Sequence, residues 1–256
     1  MNFIRRAIRH FFLYHALKSA MIQRSMRKWT EHDQKMFDFY RQFINAGDLC
    51  FDVGANMGNR TKVFLRLGAV VVAVEPQDKC MSFLRKHFRD DQRVNLVEKA
   101  LGEVNGEAEM MISDEHAISS LSKEWINKAR ESGRFSEFRW PEKQIVRVTT
   151  IDNLIEQHGI PSFIKIDVEG YEYQVIKGLT RPVHTLSFEF TPEFMDASYS
   201  CIEWLSRLGV TRWNYSFGET MELALKGWTY PENMIEILST HSNDKLFGDV
   251  YVRFQN

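Results

Sequence analysis

Asp52-Val53-Gly54-Ala55-Asn56-Met57-Gly58 sets a carboxylate two residues ahead of the first of two glycines spaced four apart. A short apolar run, Leu49–Val53, enters this turn, and a helical pattern, Thr61–Leu67, leaves it. Gly54 lets the backbone reverse sharply and Gly58 lets it come close to a ligand, while the start of the helix offers free N–H groups. A dinucleotide fingerprint would need glycines at 54, 56 and 59, but asparagines stand at 56 and 59. A carboxylate at the border of the turn suits a ligand whose amino-acid part is cationic, unlike a pyrophosphate. A second acid, Glu75, ends the following strand seventeen residues after Gly58, where a carboxylate can accept from both hydroxyls of a ribose.

Further candidates lie downstream. Asp167 and Glu169 stand two apart just before Gly170. Glu189 interrupts the apolar strand Leu186–Phe190, where a lone carboxylate must find a partner or keep its proton. His116 opens a polar stretch between strands. Any of the four could serve as the base that a poorly acidic hydroxyl nucleophile needs, and each has a plain reading as a solvated or hydrogen-bonded side chain. Three acids near one strand edge also suit Mg²⁺, but no metal is expected.

The elements that must position these groups alternate in type. Strands are expected at Leu49–Val53, Ala69–Val74, Val94–Glu98, Glu107–Ile112, Ile145–Thr149, Phe163–Val168, Thr185–Phe190, Arg212–Ser216 and Val250–Phe254. Helices are expected at Glu31–Asn45, Thr61–Leu67, Asp78–Phe88, Ile151–His158, Tyr171–Gly178 and Ser200–Leu208, with a turn over Lys99–Gly106. Continuous β-branched runs such as Ala69–Val74 mark strands buried on both faces, so the pattern predicts an α/β fold with a parallel sheet between helices. About thirty residues, roughly 113–144, break the alternation and read as a lid or binding loop. Within it a helix is expected from Ser122 to Ser132, and Trp125, Phe135, Phe138 and Trp140 suit stacking on a sugar ring or, equally, burial against the sheet.

Of 256 residues, 44% are hydrophobic and 26% charged, ordinary values for a globular chain. Three cysteines without a C-x-x-C argue against a disulfide framework or zinc knuckle. A formal charge of −1 argues against non-specific nucleic-acid binding. The charge is uneven: the first thirty residues hold seven Arg or Lys and no acid. The N-terminal basic and amphipathic stretch, 1–45, precedes a domain over 46–256. Three readings compete for residues 1–28: a helix packed on the acidic body or a partner subunit, a peripheral membrane contact, or a transit peptide. The expected location is the cytoplasm, with membrane association as the alternative.

D-x-G-A-N-x-G at Asp52–Gly58, E-P at Glu75-Pro76, A-L-G at Ala100–Gly102 and K-I-D-V-E-G at Lys165–Gly170, in this order, resemble the FkbM family of S-adenosylmethionine-dependent methyltransferases. The match spans about Asp48 to Glu193. The resemblance implies the Rossmann-like class I methyltransferase fold, a seven-stranded, mostly parallel sheet with an antiparallel last strand. It further implies that Asp52, Gly54, Asn56 and Gly58 hold the methionine part of S-adenosylmethionine, that Glu75 with Pro76 holds the ribose, and that Lys99 or Ala100 lines the adenine pocket. Asp167 and Glu169 would face the methyl group. Enzymes that methylate planar bases resemble one another in an Asn/Asp-Pro-Pro-aromatic turn, and Asp167-Val-Glu-Gly170 has no proline. No nucleic-acid acceptor is therefore expected, and the resemblance implies an acceptor hydroxyl on a sugar, glycan or secondary metabolite. The alternative is a non-catalytic methyltransferase-fold scaffold or regulator.

Overall fold

The computed structural model describes residues 26, 28–133, 137–241 and 247–255. The readings for residues 1–28 therefore fall outside the described residues, except at Met26 and Lys28, as does the stacking role of Phe135. In chain order the first elements are α1 (Glu31–Tyr40), β1 (Leu49–Val53), α2 (Asn59–Leu67), β2 (Val70–Val74), α3 (Asp78–Phe88) and β3 (Val94–Val97). The middle of the chain forms β4 (Ala100–Leu101), β5 (Gly106–Ile112), α4 (Lys123–Glu131), β6 (Glu142–Thr149), α5 (Ile151–His158) and β7 (Phe163–Ile166). It closes with α6 (Glu172–Lys177), β8 (Thr185–Phe190), α7 (Met195–Leu208), β9 (Thr211–Phe217), α8 (Pro231–His241) and β10 (Gly248–Phe254).

Seven strands form the main sheet in the order β3-β2-β1-β7-β8-β10-β9. β1 pairs parallel with both β2 and β7, and β10 runs antiparallel to β8 and β9. Strand order reverses direction between β1 and β7, the crevice where open α/β sheets bind ligands at their carboxyl ends. β1, β2 and β7 are buried along almost their whole length, because helices cover both faces of a parallel sheet. One face packs Phe51, Ile164, Leu186 and Trp213 against the C-terminal helices. On the other, Phe43 stacks between Phe163 and Tyr251, at 5.4 Å from each ring.

Two strands expected in the parallel sheet lie elsewhere. β4, β6 and β5 form a separate three-stranded sheet in that order, with β5 and β6 antiparallel. Gly-Glu-Ala-Glu-Met-Met-Ile is only partly buried, with Met110 its one buried residue, as suits a sheet with one face in water. The expected turn over Lys99–Gly106 contains β4, which pairs with Val148 and Thr149. α1 stops at Tyr40, and Arg41–Phe43 continue as a turn rather than helix to Asn45. α7 begins five residues earlier than expected, fed by the 3₁₀ turn Pro192–Phe194. α8, with proline at its first position and buried Met234 and Leu238 four apart, was not anticipated.

Within 113–144, a 3₁₀ turn (His116–Ile118) precedes α4, whose first turn is capped by the Ser122 hydroxyl. Trp125 and Trp140 are buried with Ile118 and Ile126 in a small core of the insertion's own, and Phe138 packs against it. These rings satisfy one another, so they form no open stacking platform. Trp125 also covers Gly170, where a Cβ would fall 2.2 Å from the indole. Emptying this site should cost about 3–5 kcal/mol, the usual range for a buried large-to-small change. Urea unfolding of Trp125→Ala should show that loss, and a change below about 1 kcal/mol would mean the insertion folds independently of α4 packing.

Candidate functional site

The turn after β1 is tied to the tip of β2. Gly54 and Ala55 both donate their N–H to the Val74 carbonyl, each at 3.0 Å. Gly54 has φ +81°, and a Cβ there would lie 1.8 Å from the Asp167 carbonyl oxygen. Glycine is thus required by the neighbouring strand as much as by the turn. Asn56 follows with φ +50° and donates its N–H to Glu75 Oε2 at 2.8 Å. Gln77 N–H donates to Glu75 Oε1, also at 2.8 Å. Burial lifts Glu75 to about 7 while these two donors pull the other way. Each carboxylate oxygen retains acceptor capacity beyond its backbone bond.

Asp52 is buried and accepts from the Thr61 hydroxyl at 2.5 Å. Burial raises its pKa, opposed by that bond and by the charges of Arg60 and Lys165. Gly58, expected at the ligand, faces away. It caps α2 at φ +87°, and a Cβ would meet Phe88 at 2.7 Å and Leu84 at 2.9 Å, so its missing side chain makes room for α3.

Across the crevice, the turn after β7 is set by a carboxylate that sequence reasoning missed. Glu172 Oε1 accepts from Val168 N–H at 3.1 Å and Gly170 N–H at 3.3 Å. This holds Glu169 at φ +54°, a conformation uncommon outside glycine. The Ser120 hydroxyl donates to the Glu169 carbonyl at 2.6 Å, linking the insertion to the turn. Asp167, Glu169 and Glu189 bring carboxylate oxygens within 4.8 Å of one another, and we assign no ion to them. Burial pushes Glu189 well above the usual carboxylate range, reinforced by Glu169 and Asp167. Asp167 moves the other way: burial works against its charge, but Lys165 and Arg60 outweigh it and hold the carboxyl below its ordinary value.

These elements surround a cavity of about 370 Å³, within the range of small-molecule sites. Asp52, Gly54, Asn56, Glu75, Pro76, Lys99, Ala100, His116, Asp167 and Glu169 all line it. Gly58 and Glu189 do not, although Glu189 lies just behind Asp167. One end is apolar, formed by Ala100, Leu101, Met110 and Leu121. The 3₁₀ turn over it is pinned by the Gln77 amide, which donates to the His116 carbonyl at 3.1 Å. The rest of the lining carries charge: it includes Glu169, Asp167, on which the charge of Arg60 acts, and Arg60 itself, whose guanidinium donates to both oxygens of Glu219 at 2.9 and 3.0 Å. Met110 and Leu121 were missed because the small sheet was, and Glu219 because 159 residues separate it from Arg60.

A seven-stranded sheet of this order, with a cavity at its switch point, defines a Rossmann-like methyltransferase architecture. The family profile of the methyltransferase FkbM domain matches residues 52–230, and the chain belongs to that family. Its reaction class is methyl transfer, and its cofactor is S-adenosylmethionine. No curated protein sequence matches the chain. Solved structures similar to it include a TehB-like SAM-dependent methyltransferase from Corynebacterium glutamicum, 10% identical, with TM-score 0.48 over 95% of this chain and 99% of that one. Precorrin-6y C5,15-methyltransferase from Geobacter metallireducens is 10% identical, with TM-score 0.46 over 87% of each chain. A Streptococcus mutans protein described as a methyltransferase, solved with SAH, is 10% identical, with TM-score 0.41 over 88% of this chain and 99% of that one. At this identity the likeness concerns the fold alone.

The Glu172 anchor makes a pH prediction. Burial lifts its carboxyl from 4.5 to about 7, so between those values the folded state binds the proton more tightly than the unfolded chain. The associated stability is fully present below about 4.5 and is lost as pH rises through about 7. Relative to Glu172→Gln, the native protein should lose up to about 3 kcal/mol between pH 5 and pH 8. Chemical unfolding of both proteins across that range measures it, and a pH-independent difference would contradict the assignment.

Proposed function

We propose that this protein transfers a methyl group from S-adenosylmethionine to a hydroxyl of a sugar, glycan or small secondary metabolite. Asp52, Gly54 and Asn56 hold the amino-acid part of the cofactor, Glu75 accepts from its ribose hydroxyls, and Pro76, Lys99 and Ala100 border its adenine. The residues fit that group. A carboxylate with an acceptor position left on each oxygen matches a ribose diol, and the apolar end made by Ala100, Met110 and Leu121 matches a planar base. When bound, the cofactor supplies a methyl carbon activated by a positively charged sulfur.

The chain then has to align the acceptor, exclude water and take one proton. Asp167, ionised beside Lys165, accepts the proton of the acceptor hydroxyl. Glu189, whose carboxyl burial pushes well above the ordinary range, lies behind it, while Glu169 and His116 bound the space above. The observation that carries the acceptor assignment is the acidic part of the cavity lining, Asp167, Glu169 and Glu219, whose neighbouring cations Arg60 and Lys165 are already paired with carboxylates. Carboxylates recognise neutral hydroxyls and repel phosphates, so this part favours polyol over nucleic-acid acceptors.

Two measurements test this reading. Calorimetry with S-adenosylhomocysteine should show binding that falls at least about tenfold in Asp52→Ala and in Glu75→Ala, the loss expected when a charged hydrogen-bond partner is removed. Unchanged affinity in both would defeat the placement of the cofactor. Transfer of a radiolabelled methyl group to a panel of neutral saccharides should exceed transfer to RNA, and the reverse order would remove the hydroxyl-acceptor reading.

A further inference from the structure

The sheet face beneath the cavity carries polar groups inside the core. Asp52, Lys165, Ser187 and Tyr251 are register partners on neighbouring strands, so their side chains project to one face. Lys165 is 1% exposed. Its ammonium group donates to Asp249 Oδ1 at 2.9 Å, to Asp167 Oδ2 at 3.2 Å and to the Ile166 carbonyl at 3.3 Å, which uses all three of its hydrogens. Asp249, itself buried, accepts in turn from the Tyr251 hydroxyl at 3.3 Å. A well-packed apolar pair would hold two strands together as well as a buried ion pair does, so stability alone does not account for the arrangement.

Asp167 joins the Lys165–Asp249 pair to the cavity, which Asp52 on the same face also lines. The charged groups acting on or beside the Asp167 carboxylate are Asp52 from β1, Arg60 from α2, Glu189 from β8, Asp249 from β10, and Glu169 and Glu172 from its own turn. Arg60 is engaged with Glu219, which leaves Lys165 as the cation in direct contact with Asp167 among the described residues.

We propose that Lys165, clamped by Asp249, is a positioning residue that presents the Asp167 carboxylate to the positive sulfur of the cofactor, so that the cavity holds S-adenosylmethionine in preference to S-adenosylhomocysteine. The inference rests on the cofactor placement given above. Methyl transfer turns a sulfonium into a neutral thioether, so a fixed carboxylate attracts the reactant form and not the product. At the short distances of a partly dehydrated cleft, one such charge contact is strong enough to discriminate about tenfold or more. The same attraction stabilises the ground state and so does nothing for the chemical step itself. Its benefit falls on release of the spent cofactor, often the slow event in an enzyme cycle.

The test compares affinities for S-adenosylmethionine and S-adenosylhomocysteine by calorimetry, with no acceptor present. The native protein should favour S-adenosylmethionine by about tenfold or more, and Asp167→Asn should bring the ratio close to one while still binding both. Lys165→Met alone leaves Asp167 and Asp249 facing each other without a cation and is expected to unfold easily, so the informative variant is Lys165→Met/Asp249→Leu. That double variant should unfold at the native midpoint yet lose the preference. Equal affinities in the native protein, or a ratio that survives either Asp167→Asn or the double substitution, would overturn the proposal. A double variant that fails to fold would show the pair to be structural and overturn the role of Lys165. Failure of the native protein to bind either compound would instead defeat the cofactor placement.

Discussion

The site is organised by one buried carboxylate shared between two strands' ends. Glu75, 2% exposed, takes the N–H of Asn56 on one oxygen and that of Gln77 on the other, joining the turn after β1 to the residues that lead into α3. Without it, two backbone donors at the head of the crevice would be left unsatisfied away from water, at a cost of about 1–3 kcal/mol each. With it, the turn holds Asn56 in a left-handed conformation and keeps its inner surface open. The cost is a carboxyl lifted to about 7, an acid held close to the point at which it gains or loses its charge.

Opposite it, the turn after β7 repeats the same solution with different residues. Glu172 collects the N–H groups of Val168 and Gly170, and the Glu169 carbonyl is tied to Ser120. A strained residue persists where its surroundings over-determine it, and Glu169 is fixed by a carboxylate below, a hydroxyl from the insertion, and the Trp125 ring lying on Gly170. The insertion therefore acts as a brace for the turn. Its aromatic rings stabilise the cavity from outside and leave the lining to smaller side chains such as Ala117 and Ser119.

Much of this was legible because local sequence and long-range structure agree where the sheet is most buried. Val70–Val74 is apolar throughout and Phe163–Ile166 is apolar but for Lys165, so both read as strands buried on both sides. Asp52 and Glu75 announce themselves because they sit at the ends of such strands. Glu107–Ile112 lies outside the parallel sheet because a short, partly buried run specifies a strand but not its sheet. The pairing of Lys165 with Asp249, 84 residues away, and of Arg60 with Glu219 depends on strand order, which no local pattern encodes. Gly54 and Gly58 show the same limit: the need for glycine was visible, but contacts with Asp167 and Phe88 decide which of them faces the cavity.

The most direct measurement is a crystal structure of the protein grown with S-adenosylhomocysteine. Both ribose hydroxyls should lie on the Glu75 oxygens, with the Asn56 and Gln77 N–H groups still in place and the amino-acid end over Asp52 and Gly54. A nucleoside bound elsewhere, or a Glu75 side chain turned away from it to face only the protein, would rule out Glu75 as the ribose anchor.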